Sequence, residues 1–342
     1  MGSQTVTWRS PSNIAIVKYW GKKDQQIPRN PSLSFTLSNA FTETTINYGP
    51  GSGQVQFHFA GQENPAFAQR IRSYLKQIST YLPHLSQWDL DILSDNSFPH
   101  SAGIASSASA MSALVLGLVD MEQEVLGSSF DQEAFRNRVS FLSRLASGSA
   151  CRSVFPQGAL WGSTPEVAGS SDLFAVGIPA LHEDFLRYQD SIIIIHAGAK
   201  AVSSSAGHEL MNGHPFATSR YDQARQNLKE LLHALKEGDV NLFGQLAEYE
   251  ALTLHGLMLC SKPGFTLLKP ETLAWIDALR NYRDESGIPV FFTLDAGPNL
   301  HILYPYAHQQ TVHAWITDQA EHLSPLRVLH DEMGSGPVKL GS

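Results

Sequence analysis

The chain has 342 residues, of which 42% are hydrophobic, and it carries a formal net charge of -8 with a pI of about 5.9. This length predicts roughly two domains, and the composition supplies enough apolar side chains to build their cores. The acidic balance argues against a broad basic face for nucleic acid, although it leaves room for a local basic pocket.

Cysteine usage and hydropathy predict a cytoplasmic protein without a membrane partner. Cys151 and Cys260 are the only cysteines and lie far apart, which fits a reducing compartment and not a disulfide framework. The opening MGSQTVTWRS lacks the apolar core of a signal peptide, and the longest apolar run, SIIIIHAGA, is too short to cross a bilayer.

The first half of the chain predicts strands followed by helices. Period-two patterns and β-branched residues occur in TVTWRS, SLSFTL, TETTINYG and GQVQFHFAG, with glycine and proline between them. A helix is expected over 64–82, and WDLDILSDNSFP has the composition of a strand. Apolar residues then repeat at helical spacing from Met111 onwards, and Asp131 is expected to cap a helix over 132–146.

The second half alternates short buried strands with long helices. DSIIIIHAG, PVFFTLDAG and NLHILYP predict strands, and helices are expected over 218–237, 239–257 and 270–286. The whole pattern is typical of an α+β protein.

The change in character near 185–190 predicts two domains, 1–187 and 188–330. Residues 331–342 are rich in glycine and serine and are expected to form a loose tail.

Common nucleotide and metal motifs are absent from the sequence. There is no GxxxxGK[ST] loop and no GxGxxG after a strand. GHELMNGH places His208 beside Glu209 but lacks the second histidine that a zinc-binding helix needs. We therefore expect no dedicated protein-only metal site.

Three stretches instead suggest sites for anions. In PHSAGIASSASA, small residues and the serines Ser106 and Ser107 open a helix whose N-terminus can bind phosphate, although small residues taken alone favour close helix packing instead. RLASGSACRS offers Arg152 as a fork for carboxylate or phosphate, or simply as a surface arginine. SNIAIVKYWGKKD places Lys18 and Lys22 just beyond an apolar strand, where they either bind phosphate or form a solvated charge cluster.

One acid accompanies these cations. Asp295 follows the strand residues FFTL and precedes Ala-Gly-Pro-Asn, which is turn composition. Taken alone, this context favours a turn aspartate. Serine catalysis is a weaker alternative, since no G-x-S-x-G elbow surrounds Ser149.

Together these stretches resemble the mevalonate diphosphate decarboxylase family. The resemblance rests on SNIAIVKYWGKKD, NPSLSFTL, SDNSFPHSAGIASSASA, SGSACRS, KAVSSSAGHELM and FTLDAGPN, and it extends from residue 12 to about 305. This family belongs to the superfamily of galactokinase, homoserine kinase, mevalonate kinase and phosphomevalonate kinase. The match implies an N-terminal lobe like ribosomal protein S5 and a ferredoxin-like C-terminal lobe, with the active site in the cleft between them.

The resemblance also implies a reaction. ATP phosphorylates the tertiary 3-hydroxyl of mevalonate 5-diphosphate, and loss of phosphate and CO2 then gives isopentenyl diphosphate. Asp295 matches the catalytic carboxylate, Lys18 a lysine that keeps it ionised, and Arg152 the arginine that holds the substrate carboxylate. Mg2+ is expected to arrive with ATP, with Ser107 as a candidate ligand, and relatives suggest a homodimer.

Further positions are carried over from the family motifs. The expected substrate-binding residues are Asn13, Tyr19, Lys22, Ser147, Ser149, Ser204 and Gly207. The expected ATP-binding residues are Ser94, Asn96, Gly103, Ala105, Ser106, Ser107 and Ser109.

The sequence departs from the family at four places beside the expected site. HSAG replaces Thr-Ala-Ala-Gly, and CSKPGFTLL differs from the family's proline-rich loop. Phe155–Trp161 replaces Tyr-Gly-Gly-Phe-Val-Glu-Trp, and Gly207-His208 replaces Gly-Met. Three alternative functions stay open: decarboxylation of mevalonate 5-phosphate, a mevalonate-type kinase, and a catalytically silent nucleotide-binding sensor.

Overall fold

A computed structural model describes residues 4–98, 106–198 and 202–341. Its described part contains two β-sheets with helices packed on each, and this arrangement confirms the predicted two-lobed α+β fold. No described helix is both long enough and apolar enough to cross a membrane.

The first lobe is a mixed sheet covered by three helices. Its strands are β1 (Gln4–Ala15), β2 (Ser32–Pro50), β3 (Val55–Phe59), β4 (Gln62–Glu63), β5 (Trp88–Asn96), β6 (Gly158–Trp161) and β7 (Ala175–Gly177). Its helices are α1 (Pro65–Gln77), α2 (Ser106–Leu126) and α3 (Gln132–Ala146). The long strand β2 organises the sheet, because it pairs with β1 along its length and with β5 and β6 at its two ends.

The second lobe is a four-stranded antiparallel sheet with helices packed on it. Its strands are β8 (Gln189–Ile194), β9 (Phe291–Leu294), β10 (Leu300–Tyr304) and β11 (Arg327–Glu332), in the spatial order β11-β8-β10-β9. Its helices are α4 (Ser204–Glu209), α5 (Ala217–Glu237), α6 (Val240–Leu259), α7 (Pro270–Ser286) and α8 (Gln309–Leu323). Numbered within the lobe, the strand order is 4-1-3-2, as in a ferredoxin-like fold.

Local sequence signals place the helix ends. Asn64, Asp131 and Asp239 each accept a hydrogen bond from a main-chain N–H in the first turn of the helix that follows. The predicted helix over 132–146 is confirmed with the bounds of α3. Gly238 ends α5 in the left-handed conformation, with φ of 79°, and so allows α6 to begin almost at once.

The structure corrects the expectation that residues 331–342 form a loose tail. The last strand, β12 (Val338–Leu340), returns to the first lobe and pairs antiparallel with β1. Main-chain pairing fixes this segment despite its glycine and serine content, because extended backbone needs only a free strand edge.

One buried cluster joins the lobes. It combines Ile14 and Phe35 of the first sheet with Leu228 and Leu231 of α5 and Phe243 of α6. The two lobes are therefore packed directly against each other through this cluster.

Candidate functional site

A cavity of about 800 Å³ opens between the two lobes. The first lobe contributes Lys18 and Arg152 to its wall, while the second contributes Ser204 and Asp295. Its size suits a site for small organic ligands.

A lysine and an aspartate from different lobes meet in this cavity. Lys18 lies three residues beyond β1, Asp295 directly follows the buried strand β9, and their Nζ and Oδ1 atoms are 3.1 Å apart. The lysine side chain is 2% exposed whereas the carboxylate is 29% exposed, so the acid is the partner that reaches the cavity. Burial lowers the pKa of Lys18, and the attraction of Asp295 opposes this effect.

Arg152 is a buried cation beside this pair. It ends the short helical turn Gly148–Arg152, and its Nη1 donates to the hydroxyl of Ser32. Its Nε is buried without a hydrogen-bond partner, and it forms no ion pair with a carboxylate in the described part of the chain. Burial lowers the pKa of Arg152. A buried guanidinium with unused donors is suited to bind an anion.

A cluster of polar side chains lies around these charges. Asn13 donates from Nδ2 to the hydroxyl of Ser153 at 2.8 Å and to the carbonyl of Ser149 at 3.1 Å, while its Oδ1 has no partner. The Ser147 and Ser149 hydroxyls are 3.5 Å apart. The cavity is lined by Asn13, Lys22, Ser147 and Ser149, so several donors and cations face one space.

An aromatic stack supports the cluster from the second lobe. His208 lies between Tyr19 and Trp20, with ring centroids 4.5 and 4.6 Å away. Its Nδ1 accepts the main-chain N–H of Gly21 at 2.9 Å. Burial, assisted by Lys22, lowers the pKa of His208 to about 3, so the ring is neutral and carries its proton on Nε2. Burial also raises the pKa of Tyr19 to about 12, which keeps its hydroxyl protonated.

The N-terminus of α2 forms another part of the wall. Ser106 and Ser107, the first two residues of this helix, line the cavity, and its first turn contains no acidic residue. Free N–H groups and the helix dipole at this end attract phosphate. Gly103 and Ala105, which were also expected to bind ATP, lie outside the described residues.

Models of two domain families match the chain. A diphosphomevalonate decarboxylase-like N-terminal domain matches residues 10–175, and a mevalonate 5-diphosphate decarboxylase C-terminal domain matches residues 191–337. The chain belongs to the diphosphomevalonate decarboxylase family.

Known members of the family and a solved structure agree with this assignment. The diphosphomevalonate decarboxylase of Gibberella zeae is 31% identical over 86% of this chain and 79% of its own length. The phosphomevalonate decarboxylase of Haloferax volcanii is 27% identical, with 89% of each chain covered. The structure of MDDEF in complex with MVAPP, AMPPCP and magnesium is 29% identical over 100% of both chains, with a TM-score of 0.85.

Most residues carried over from the family motifs meet in the cavity. The catalytic candidates Lys18, Arg152 and Asp295 do so, and the following candidates line the same space: Asn13, Tyr19, Lys22, Ser147, Ser149, Ser204, Ser106 and Ser107.

Four residues expected from the family motifs do not line the cavity. Ser109 is fully buried and shares a hydrogen bond with the hydroxyl of Thr42, and Asn96 accepts from that same hydroxyl. Ser94 bonds to Thr44 in the neighbouring strand. Gly207 packs against Trp20 so closely that a Cβ would lie 2.4 Å from the indole ring. In this structure the three polar side chains bond within the first lobe, and Gly207 permits close packing between the lobes.

Other cavity residues were not predicted from the family motifs. Gln69, Arg70, Ser73 and Gln77 of α1 line one end of the cavity. They lie on the polar face of the helix predicted over 64–82, and a solvated face gives the same sequence pattern. The sequence does show that His208 replaces the family's methionine, but it does not show that the His208 ring packs against Tyr19 and Trp20.

Proposed function

We propose that this protein catalyses the ATP-dependent decarboxylation of mevalonate 5-diphosphate. ATP phosphorylates the 3-hydroxyl, and departure of that phosphate with CO2 gives isopentenyl diphosphate and ADP. The observation that carries this proposal is the partly exposed carboxylate of Asp295, 3.1 Å from Lys18 in a cavity that also contains Arg152, a cation that pairs with no carboxylate among the described residues. The phosphoryl-transfer step requires an acceptor for the hydroxyl proton, and the elimination requires an anchor for the substrate carboxylate.

Asp295 is the proposed proton acceptor. The neighbouring ammonium of Lys18 favours its ionised form, and the rigid end of β9 directs it into the cavity. Phosphoryl transfer passes through a loose transition state, so orienting the hydroxyl and neutralising charge provide most of the catalysis. Lys18 supplies part of that positive charge.

Arg152 is the proposed anchor for the substrate carboxylate. Its fixed fork matches two carboxylate oxygens, and burial shields the ion pair from water. Elimination breaks the C–C bond to the carboxylate, which leaves as CO2; the electron pair of that bond forms the new double bond as the phosphate leaves with the electrons of the C–O bond. Arg152 orients the group that departs and does not itself exchange a proton.

The remaining polar residues are assigned to the phosphate groups. They line the cavity and are the residues that the family motifs assign to the substrate: Asn13, Tyr19, Lys22, Ser147, Ser149 and Ser204.

Ser106 and Ser107 at the N-terminus of α2 receive the phosphates of ATP. When bound, Mg2+ neutralises charge on the transferred phosphoryl group, and the Ser107 hydroxyl fits the oxygen ligands that this ion prefers. The described residues contain no group of three or more His, Cys, Asp or Glu side chains that could hold a metal.

Mevalonate 5-phosphate is the second candidate substrate. It is favoured by the Haloferax volcanii relative, whose name is phosphomevalonate decarboxylase and which is 27% identical to this chain. The two substrates differ by one phosphoryl group, and the donors of the cavity suit either.

A substrate comparison tests both candidates. Purified protein is given ATP, Mg2+ and either mevalonate 5-diphosphate or mevalonate 5-phosphate, and ADP, phosphate and CO2 are measured. With mevalonate 5-diphosphate, we expect one molecule each of ADP, phosphate and CO2 per turnover. Preference for the monophosphate would overturn the substrate assignment, ADP without CO2 would indicate a kinase, and no product from either would refute an enzymatic role.

We also propose that the protein works in the cytoplasm as a homodimer. The free state of Cys151 and Cys260 supports a reducing compartment, and the dimer is an expectation from the family resemblance. Cell fractionation tests the location, and sedimentation equilibrium of the purified protein tests the assembly.

A further inference from the structure

The main chain of Lys18 is held by a pair of charged residues from the other lobe. Its N–H donates to Oε2 of Glu250 in α6 at 2.8 Å, and its carbonyl accepts from Nη2 of Arg220 in α5 at 2.9 Å. Asn30 donates to the same carbonyl at 3.0 Å. Because Lys18 lies beyond the end of β1, these bonds replace the strand pairing that would otherwise fix its main chain.

Glu250 and Arg220 also bond to each other at two points. Arg220 Nη1 lies 2.7 Å from Oε1 of Glu250, and Nη2 lies 2.5 Å from Oε2, while Asn227 donates to Oε1 at 2.6 Å. The two charged side chains are 1% and 0% exposed. A buried ion pair gains little stability over apolar residues of the same volume, because both charges lose their hydration. General stability therefore does not explain this pair, whereas its polar atoms directed at Lys18 suggest another role.

Helix α6 also bonds to the main chain of Asp295, the residue that pairs with the Lys18 side chain. His255 donates from Nε2 to the carbonyl of Asp295 at 3.0 Å. Glu250 and His255 are five residues apart on α6, which is about 7.5 Å along the helix axis. One rigid helix thus bonds to the main chain of Lys18 and to that of Asp295.

We infer that Glu250 and Arg220 are positioning residues that set the distance between Lys18 and Asp295. Neither lines the cavity, so they act through Lys18 and not on the substrate. The kinetic part of this inference rests on the proposed function, while its geometric part does not. The two lobes must keep their relative position for Lys18 to pair with Asp295, because Lys18 belongs to the first lobe whereas Glu250 and Arg220, which hold its main chain, belong to the second.

Glu250→Gln tests the inference, with Glu248→Gln as the matched control. Glu248 lies on the same helix and pairs with Arg283 at 2.6 Å, but no hydrogen bond or ion pair joins it to Lys18 or Asp295. For Glu250→Gln we expect kcat to fall about tenfold to a hundredfold, with the Kd of ATP changing less than about threefold. In the crystal structure of this variant, the distance from Lys18 Nζ to Asp295 Oδ1 should exceed about 4 Å, the limit of an ion pair. Glu248→Gln should keep both kcat and the distance.

Arg220→Lys provides a second route if Glu250→Gln fails to fold. Lysine keeps a charge opposite Glu250 but has a single nitrogen in place of the guanidinium fork, so it cannot reproduce both the two-point bond to Glu250 and the bond to the Lys18 carbonyl. A folded variant of either kind with the wild-type distance, or an equal loss of kcat in Glu248→Gln, would overturn the inference. Failure of the wild-type protein to turn over either substrate would refute the proposed function alone, since the distances are measured independently.

Discussion

Asp295 performs two tasks with two different parts of the residue. Its main-chain carbonyl accepts the N–H of Gly297 at 2.7 Å, which closes the turn that the sequence predicts. Its carboxylate bonds to Lys18, which lies 277 residues away in the chain. Local composition predicts the turn correctly, but only the distant cation explains why an acid occupies this position.

Asp295→Asn should remove turnover and keep nucleotide binding. The amide preserves the shape of the side chain but cannot accept the hydroxyl proton, so we expect kcat to fall by about 10²- to 10⁴-fold. The Kd of ATP, measured by equilibrium dialysis, should change little because the nucleotide phosphates are assigned to α2. Unchanged turnover would exclude Asp295 from the mechanism.

His208→Met should weaken the pH dependence of stability. The folded state lowers the pKa of His208 to about 3 from its ordinary value of 6.5. Between these values the unfolded chain binds a proton that the folded chain does not, so stability falls as pH falls below about 6.5, by up to about 1.4 kcal/mol per pH unit. The variant lacks this proton, so its urea unfolding free energy should decline less between pH 6.5 and 5. Equal slopes for both proteins would contradict this assignment.

At the scale of elements, strong periodic patterns predict helices well and weak ones do not. The helices α5, α6 and α7 lie within two residues of the expected bounds at each end. Helix α8 was not predicted because its buried face consists of only Val312 and Ile316, too few for a clear apolar stripe. Helix α1 ends at Gln77, before the predicted 82, and a separate turn of 3₁₀ helix follows.

For the site, as for the helices, local sequence patterns could be predicted and contacts between distant residues could not. Motifs near Lys18, Arg152 and Asp295 are local in sequence and could be predicted. The pairing of Glu250 with Arg220 could not be predicted, because a single sequence does not show which buried acid meets which arginine. A partial signal exists, since Glu250 lies on the apolar stripe of α6 between Leu246 and Leu254.

Two glycines of α6 should respond in opposite directions to replacement by alanine. A Cβ on Gly244 would lie 2.0 Å from the ring of Phe291 in β9, the strand that ends at Asp295. Gly244→Ala should therefore cost about 1–3 kcal/mol and lower kcat by moving β9. Gly256→Ala meets nothing within 4 Å and should stabilise the helix by up to about 1 kcal/mol. Thermal unfolding and turnover of both variants check this, and a stabilised Gly244→Ala would contradict it.

At the scale of the whole molecule, the lobes are fastened on the side where β2 and β11 meet. The chain leaves the second sheet through β11, forms a bridge between Leu37 and Met333, and then adds β12 to the first sheet. The buried Asp331 of β11 lies at this crossing. It accepts main-chain N–H groups from Ser38 and Asn39 at 2.8 Å and from Ala40 at 2.7 Å. A single side chain of the second lobe thus holds the part of β2 where its pairing with β1 is interrupted.

Asp331→Ala should loosen this junction. Hydrogen bonds to a charged group contribute about 1.5–3 kcal/mol. Removing the carboxylate leaves four N–H groups without their acceptor, the three of the first lobe and that of Glu332, so the unfolding free energy should fall by at least that amount. The amides of Ser38, Asn39 and Ala40 should exchange with solvent faster than in the wild type. Asp184→Ala is the matched control, because its carboxylate is 50% exposed and, among the described residues, pairs only with His182 at the surface, where losses stay within about 0.5 kcal/mol. If both variants unfold at the same temperature, Asp331 does not fasten the lobes, and the shared apolar cluster, strand β12 and the bonds of Glu250 and Arg220 to Lys18 would have to hold the cleft at the width that brings Asp295 to Lys18.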